Sequence, residues 1–239
     1  MSNIWNIVLY KPLLNVLAFL VSIVPGGDVG IAVIILTLIV KFALFPLSQR
    51  SIDSQIKMNS LAPELKKIKE SGASKEEQAK QTFELYKQNK TNPFSGCLLV
   101  LIQIPIIFAL YYVFLNGINL ESGMLYSFIQ APEKINMIFL GILDLTQKSL
   151  VLAILAGISQ YFQALLMPKQ VFSEKGNNSF QENFTKSMQT QMKYIFPLIV
   201  TFFAYSVSGA VALYWITSNI FAIGQQIYAN KKRKSFKLN

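Results

Sequence analysis

One lysine in this sequence lies where a lysine is costly. The run GIAVIILTLIVKFALFPLSQ, residues 30–49, is long enough to cross a hydrocarbon core of about 30 Å, and Lys41 is its single charge. With the span centred near Leu38, Lys41 sits only about 4–5 Å from mid-bilayer. A charge at that depth costs roughly 2.5–3.5 kcal/mol, so it either snorkels on its stem toward the interface or faces a hydrated cavity between helices. Thr37 lies one turn before Lys41 on the same helical face, and Ser48 lies two turns after it. The apolar runs hold no Asp or Glu to pair with the ammonium, so the charge calls for water or a transient anion. Other apolar runs add polar groups at comparable depth: Gln103, then Gln160 and Gln163, then Ser218 and Asn219. Each alone is ordinary interhelical hydrogen-bonding material, worth about 1 kcal/mol. Together with a lone lysine they form a polar path inside the bilayer.

That inventory excludes much chemistry. Histidine is absent and Cys97 is the only cysteine, which removes disulfide frameworks, cysteine-rich zinc sites and His-based catalytic triads. No metal site and no cofactor is expected. Intramembrane carboxylates, the usual mark of proton pumps and ion transporters, are missing from the apolar runs, and no phosphate-binding glycine loop occurs. A site without covalent chemistry or nucleotide hydrolysis is left, one that accommodates something polar within the membrane.

The surrounding elements define an all-α polytopic membrane protein. Apolar residues make up 52% of the 239 and charged residues 14%, against roughly 25% charged in soluble domains. Residues 1–28 mix Asn3, Asn6, Lys11 and Asn15 with large apolar side chains and end at PGGD, which predicts an amphipathic helix lying in the interface. Residues 29–49 are the first span. Residues 50–92 turn Lys/Glu-rich with apolar positions at helical spacing, and Ser74 followed by Glu77 makes a capping box, which predicts a water-side helical hairpin. Residues 93–116 are the second span, 117–147 a mixed connector, 148–168 the third span and 169–193 a polar loop. The long apolar stretch that follows divides near Ser206, Ser208 and Gly209 into spans at 194–207 and 208–228, before a basic tail at 229–239. A five-helix core places the Lys/Arg-rich segments 50–92, 169–193 and 231–239 on one side of the membrane. The positive-inside rule makes that side the cytoplasm, with the N-terminus outside and the C-terminus inside. No cleavable signal is evident: the first charge is Lys11, and no small-residue cleavage site follows.

Four stretches resemble the YidC family of membrane protein insertases. IVKFALFPLSQR at 39–50 is similar to the family's first core span, and QIKMNSLAPELKKIKE at 55–70 to the first arm of its cytoplasmic hairpin. NPFSGCLLVLIQIPIIFALYYVF at 92–114 resembles the second core span, and LYWITSNIFAIGQQ at 213–226 the last. The resemblance implies a short form, without the large outer domain of many relatives, in which five helices surround a hydrophilic groove open to cytoplasm and lipid. It places Lys41 where the family usually has arginine, which keeps the charge but not the five-donor fork. It puts Thr37, Gln103 and Trp215 near the path of the passing client, and Gln55, Met58, Pro63, Glu64 and Leu65 on the hairpin arm that guides clients. Leu99 stands where many relatives have proline.

The function so implied is insertion and folding assistance for client membrane proteins, alone or with the Sec translocon, in a bacterial plasma membrane. Its partners are nascent or newly made membrane proteins, the Sec translocon and the ribosome, with anionic lipids drawn to the basic segments; no small-molecule substrate is expected. Two other classes compete. A small-solute transporter would also use a polar cavity, although no persuasive internal repeat is found. A non-catalytic assembly factor would hold partners by its spans and would dispense with Lys41.

Overall fold

The computed structural model describes residues 5–92, 95–115, 124–167, 187 and 190–236. The chain begins with a π-helical turn, Asn6–Tyr10, which runs without a break into α1, Lys11–Ile23, with Pro12 just past the junction. From Asn6 to Ile23 this segment is, by length and composition, long and apolar enough to cross a membrane. Asn15, one of its polar residues, is buried rather than set toward water. Its amide nitrogen donates to the carbonyls of Lys11 (2.7 Å) and Met124 (3.0 Å), and its oxygen accepts from the Tyr126 N–H (2.7 Å).

A turn at Pro25–Gly27 leads to α2, Val29–Ser60, a helix of 32 residues. The boundary drawn between residues 49 and 50 is therefore not a helix boundary. Arg50 and the charges after it change what the helix faces but do not interrupt its hydrogen bonds; α2 ends at Leu61, with Pro63 in the first turn of the next helix. α3, Ala62–Glu70, and α4, Lys75–Gln88, follow, and neither contains a buried residue. Ser74 caps α4 by accepting from the Glu77 N–H at 3.2 Å, while the Glu77 carboxylate accepts from Gln81.

α5 is Ser95–Leu115 and α6 is Leu150–Leu166. Within the connector, a segment with no strand in the sequence reading, β1 (Ile138–Phe139) pairs antiparallel with β2 (Leu143–Asp144). Leu140 and Gly141 turn this hairpin at positive φ. Thr146 donates its hydroxyl (2.6 Å) and its N–H (2.9 Å) to Asp144, and these bonds hold the exposed carboxyl below the usual carboxylate range. The loop expected at 169–193 lies outside the described residues apart from 187 and 190–193. A π-helical turn, Gln191–Ile195, enters α7, Phe196–Ser206; Val207 and Ser208 then break the helix before α8, Gly209–Phe236. α8 continues eight residues past the boundary drawn at 228, because a run of bases ends a span without ending a helix.

Two apolar clusters hold these helices together. One joins Leu14, Leu17 and Val21 of α1 to Val29, Val33 and Leu36 of α2 and to Ala109, Leu110 and Val113 of α5. The other joins Leu152, Ala153 and Ala156 of α6 to Val200 and Ala204 of α7 and to Ala210, Ala212 and Leu213 of α8. α8 packs against both α6 and α2. Opposite these contacts the helices present large apolar side chains outward, among them Phe42, Ile154, Phe162, Leu198, Phe202 and Ile220. Water does not reward such a surface, and hydrocarbon tolerates it.

Asp28 closes the other end of this arrangement. Its Oδ1 accepts from the N–H groups of Gly30 (2.8 Å) and Ile31 (3.1 Å), capping α2, and its Oδ2 accepts from the Leu140 N–H (2.8 Å) of the connector hairpin. Asn136 bonds through its backbone to both neighbours of Asp28, Gly27 and Val29. A Cβ on Gly27 would strike the Lys134 carbonyl, and one on Gly30 would strike the Phe139 ring. Glycine is thus required at both positions for the connector to lie this close.

Candidate functional site

Lys41, half-buried on α2, donates to Gln103 Oε1 on α5 at 3.1 Å. An ammonium only donates, so the Gln103 oxygen must face it, and the amide N–H₂ is left for another acceptor. That acceptor is the hydroxyl oxygen of Tyr214, a fully buried residue of α8. A charge, an amide and a phenol therefore tie three helices together. The absence of an acidic partner had left water or a transient anion as the only candidates for Lys41; the neutral partner lies 62 residues away and becomes adjacent only when α2 packs on α5.

Below Lys41 the same α2–α8 seam carries a second set. Phe221 meets Phe42 edge-on with ring centres 5.1 Å apart and Phe45 at 6.4 Å. One turn further, Gln225 exchanges hydrogen bonds with Ser48, its Oε1 accepting at 2.9 Å and its Nε2 donating at 2.7 Å.

The remaining candidates fall on the other side of α8. The Trp215 indole N–H donates to Gln160 Oε1 at 3.1 Å, and Asn219 Nδ2 donates to Ser159 Oγ at 3.0 Å, so both link α8 to α6. Trp215 also packs against Phe203 of α7, with ring centres 5.8 Å apart. Ser218 is buried one turn after Tyr214. Thr37 is fully buried, and its hydroxyl donates to the Val33 carbonyl of its own helix at 2.6 Å instead of reaching Lys41. Gln163 is half-buried on α6, and among the described residues no hydrogen bond joins it to the other candidates. The structure thus divides the single polar path read from the sequence into two hydrogen-bonded groups on different flanks of α8.

Three participants escaped the sequence reading: Tyr214, Gln225 and Ser159. A signal existed for the first two, since Tyr214, Ser218, Phe221 and Gln225 repeat at i, i+4, i+7 and i+11 along one helical stripe. Ser159 offered none, because a serine in an apolar helix usually bonds its own backbone, as this one also does to Ala156.

On the hairpin, Gln55 is half-buried and donates to Ser51 Oγ at 3.3 Å, and Met58 is buried. Pro63 and Glu64 are exposed in the first turn of α3, with Leu65 half-buried behind them. The Asn92 N–H donates to Ser54 Oγ at 3.2 Å and ties the base of the hairpin together. Phe83 of α4 is left 71% exposed, so the second arm offers a free apolar side chain.

Helices that turn large apolar side chains outward and pair a few polar ones between them define an α-helical membrane protein. The family model described as "60Kd inner membrane protein" matches residues 19–236. The membrane protein insertase YidC of Clostridium tetani is 34% identical over 224 residues, covering 92% of this chain and 91% of that protein. The YidC of Vesicomyosocius okutanii is 34% identical over 226 residues, covering 94% of this chain but 37% of that longer protein. In structure the chain is similar to an active YidC insertase crystal structure with its first transmembrane domain resolved. That likeness has a TM-score of 0.57 at 22% identity, covers 94% of this chain and 46% of the other, and bears on the fold alone. The chain belongs to the YidC, or 60 kDa inner membrane protein, family of membrane protein insertases. It is a bacterial membrane protein in which, among the described residues, two helices, Asn6–Ile23 and Val29–Ser60, are long and apolar enough to span.

Proposed function

We propose that this protein inserts client membrane proteins into the bilayer and assists their folding, using the polar seam around Lys41 as the place where a client's polar flank rests in transit. The observation that carries this reading is the pairing of Lys41 with the neutral Gln103 inside apolar helices. An unneutralised charge attracts acidic and polar groups, whereas a carboxylate partner would have cancelled it. The first half of α2 together with α5, α6, α7 and α8 forms five spans, α1 lies along the interface, and the α3–α4 hairpin and the end of α8 face the cytoplasm. The family resemblance and the Lys/Arg-rich segments support that topology. A client's apolar segment supplies the free energy of insertion by entering lipid, while its short outer flank avoids full desolvation by stepping through the seam. The hairpin, with no buried residue in α3 or α4 and Phe83 exposed, guides clients toward it. Nascent membrane proteins are the substrates, and the Sec translocon and the ribosome are partners. No nucleotide is consumed.

The test is a proteoliposome insertion assay with a short single-span client scored by protease protection, at equal protein incorporation. Protection should require the protein, fall severalfold in Lys41→Ala and survive in Lys41→Arg. Equal protection in wild type and Lys41→Ala would discard the role of the charge. Protection no greater than in empty liposomes, with folding verified, would discard autonomous insertion in favour of a Sec-dependent or assembly role.

A further inference from the structure

We infer that the protein holds one anionic phospholipid in a recess between α6 and α8, with an acyl chain in the recess and the headgroup at the basic end of α8. The recess has a volume of about 500 Å³ and is walled by Leu155, Ile158 and Phe162 of α6 and by Ile216, Ile220 and Ile227 of α8. Ser159 also borders it, but its hydroxyl is engaged by Asn219 and Ala156, so nothing in the cleft asks for a polar ligand. Phe162 is 54% exposed and Ile220 60% exposed, so the cleft opens to whatever surrounds the helices.

Its length decides between occupants. From Ile216 to Ile227 the recess follows α8 for about 16 Å, roughly half of a hydrocarbon core of about 30 Å. A membrane-spanning peptide would overrun it, whereas one acyl chain from a single leaflet matches it. The charge beyond its end selects the headgroup. Ile216, Ile220, Ile223 and Ile227 form one stripe of α8, and one turn further that stripe reaches Lys231, which is exposed. Lys231 opens the run Lys231, Lys232, Arg233, Lys234 on the same continuous helix, with no acid among the residues that follow. An acyl-chain cleft whose stripe continues to the exposed Lys231, at the start of a basic run in the sequence, fits a lipid with a net negative phosphate, not a zwitterionic one.

The test reconstitutes the full chain in vesicles of phosphatidylethanolamine and phosphatidylglycerol carrying a trace of diazirine-acyl phosphatidylglycerol, and maps the photo-crosslinks by peptide mass spectrometry. Crosslinks should concentrate on α6 and α8 around Leu155–Phe162 and Ile216–Ile227, and should fall when the probe is diazirine-acyl phosphatidylethanolamine. Lys231→Gln should reduce labelling about fivefold, the equivalent of ~1 kcal/mol per basic residue at an anionic surface. Ile220→Trp, a change on an exposed side chain that fills the cleft, should abolish it. Equal labelling by both probes, or labelling insensitive to both substitutions, overturns the proposal. So does full displacement of the probe by an uncharged transmembrane peptide, which would make the recess a docking place for helices.

Discussion

Replacing Asp28 separates two jobs done by one carboxylate. Its Oδ1 caps α2 through Gly30 and Ile31, and its Oδ2 holds the Leu140 N–H of the connector hairpin, 112 residues away in sequence. Loss of a helix cap costs about 1 kcal/mol. Loss of a hydrogen bond to a charged acceptor costs about 1.5 kcal/mol where water can reach the freed donor, as it can beside the exposed Leu140. Asp28→Ala should therefore destabilise the protein by about 2.5 kcal/mol. Asp28→Asn keeps one side-chain oxygen, so it preserves either the cap or the strap and should cost about half as much. Unfolding in mixed micelles by SDS titration, followed through the two tryptophans, measures both variants, and amide exchange at Leu140 reports the strap alone. An alanine variant within about 0.5 kcal/mol of wild type, or an asparagine variant as damaging as alanine, would refute the dual role.

Two further predictions concern packing and the polar seam. Gly157 of α6 faces α7 so closely that a Cβ would collide with the Thr201 hydroxyl and lie 3.2 Å from the Pro197 carbonyl, whereas a Cβ on Gly224 of α8 meets nothing within 4 Å. Gly157→Ala should cost about 1–3 kcal/mol in the same titration, while Gly224→Ala should be neutral or stabilise by up to about 1 kcal/mol; the reverse order would contradict the α6–α7 contact. Tyr214→Phe leaves Gln103 Nε2 without its acceptor and should cost about 0.6–1.7 kcal/mol. In the insertion assay it should reduce client protection less than Lys41→Ala does. A larger loss would move the functional role from the charge to the phenol.

What the sequence disclosed followed from what side chains do locally. Lys41 stood out because a cation in an apolar run is rare, and Ser74 because its cap spans only three residues. The break before Gly209 fell among the small and polar residues that marked it. The span boundaries drawn at 49/50 and 228/229 do not coincide with helix ends, because charge reports the environment of a helix and not its hydrogen bonding, so α2 and α8 run on through them. The hairpin at 138–144 was invisible because two residues per strand carry no alternation to read. Asn15 looked like a residue for the interface and is instead a buried bridge to Met124 and Tyr126, since nothing local tells a solvated amide from one satisfied 109 residues away. The polar path divided because Tyr214 and Trp215, adjacent in sequence, point about 100° apart on a helix, one toward Gln103 and the other toward Gln160.

That division bears on how the seam would work. Four pairings on the two flanks of α8 join a donor to a neutral acceptor: Lys41 to Gln103, Gln225 to Ser48, Trp215 to Gln160 and Asn219 to Ser159. Interhelical bonds between neutral groups in a membrane average about 0.6 kcal/mol, because each group finds another partner when the helices part; the charge-assisted Lys41–Gln103 bond is worth about 1.5 kcal/mol or more, which any polar acceptor that takes the place of Gln103 returns. A buried lysine–carboxylate pair would instead lose about 3–5 kcal/mol when one partner left. On the proposed function, a client's polar flank can therefore replace Gln103 at Lys41 at almost no cost, and Gln103 can recover its place once the client has moved into lipid. A stronger partner at position 103 would stabilise the resting protein and obstruct that exchange, so Gln103→Glu should raise resistance to SDS while lowering insertion, an opposition that a purely structural role for Lys41 does not produce.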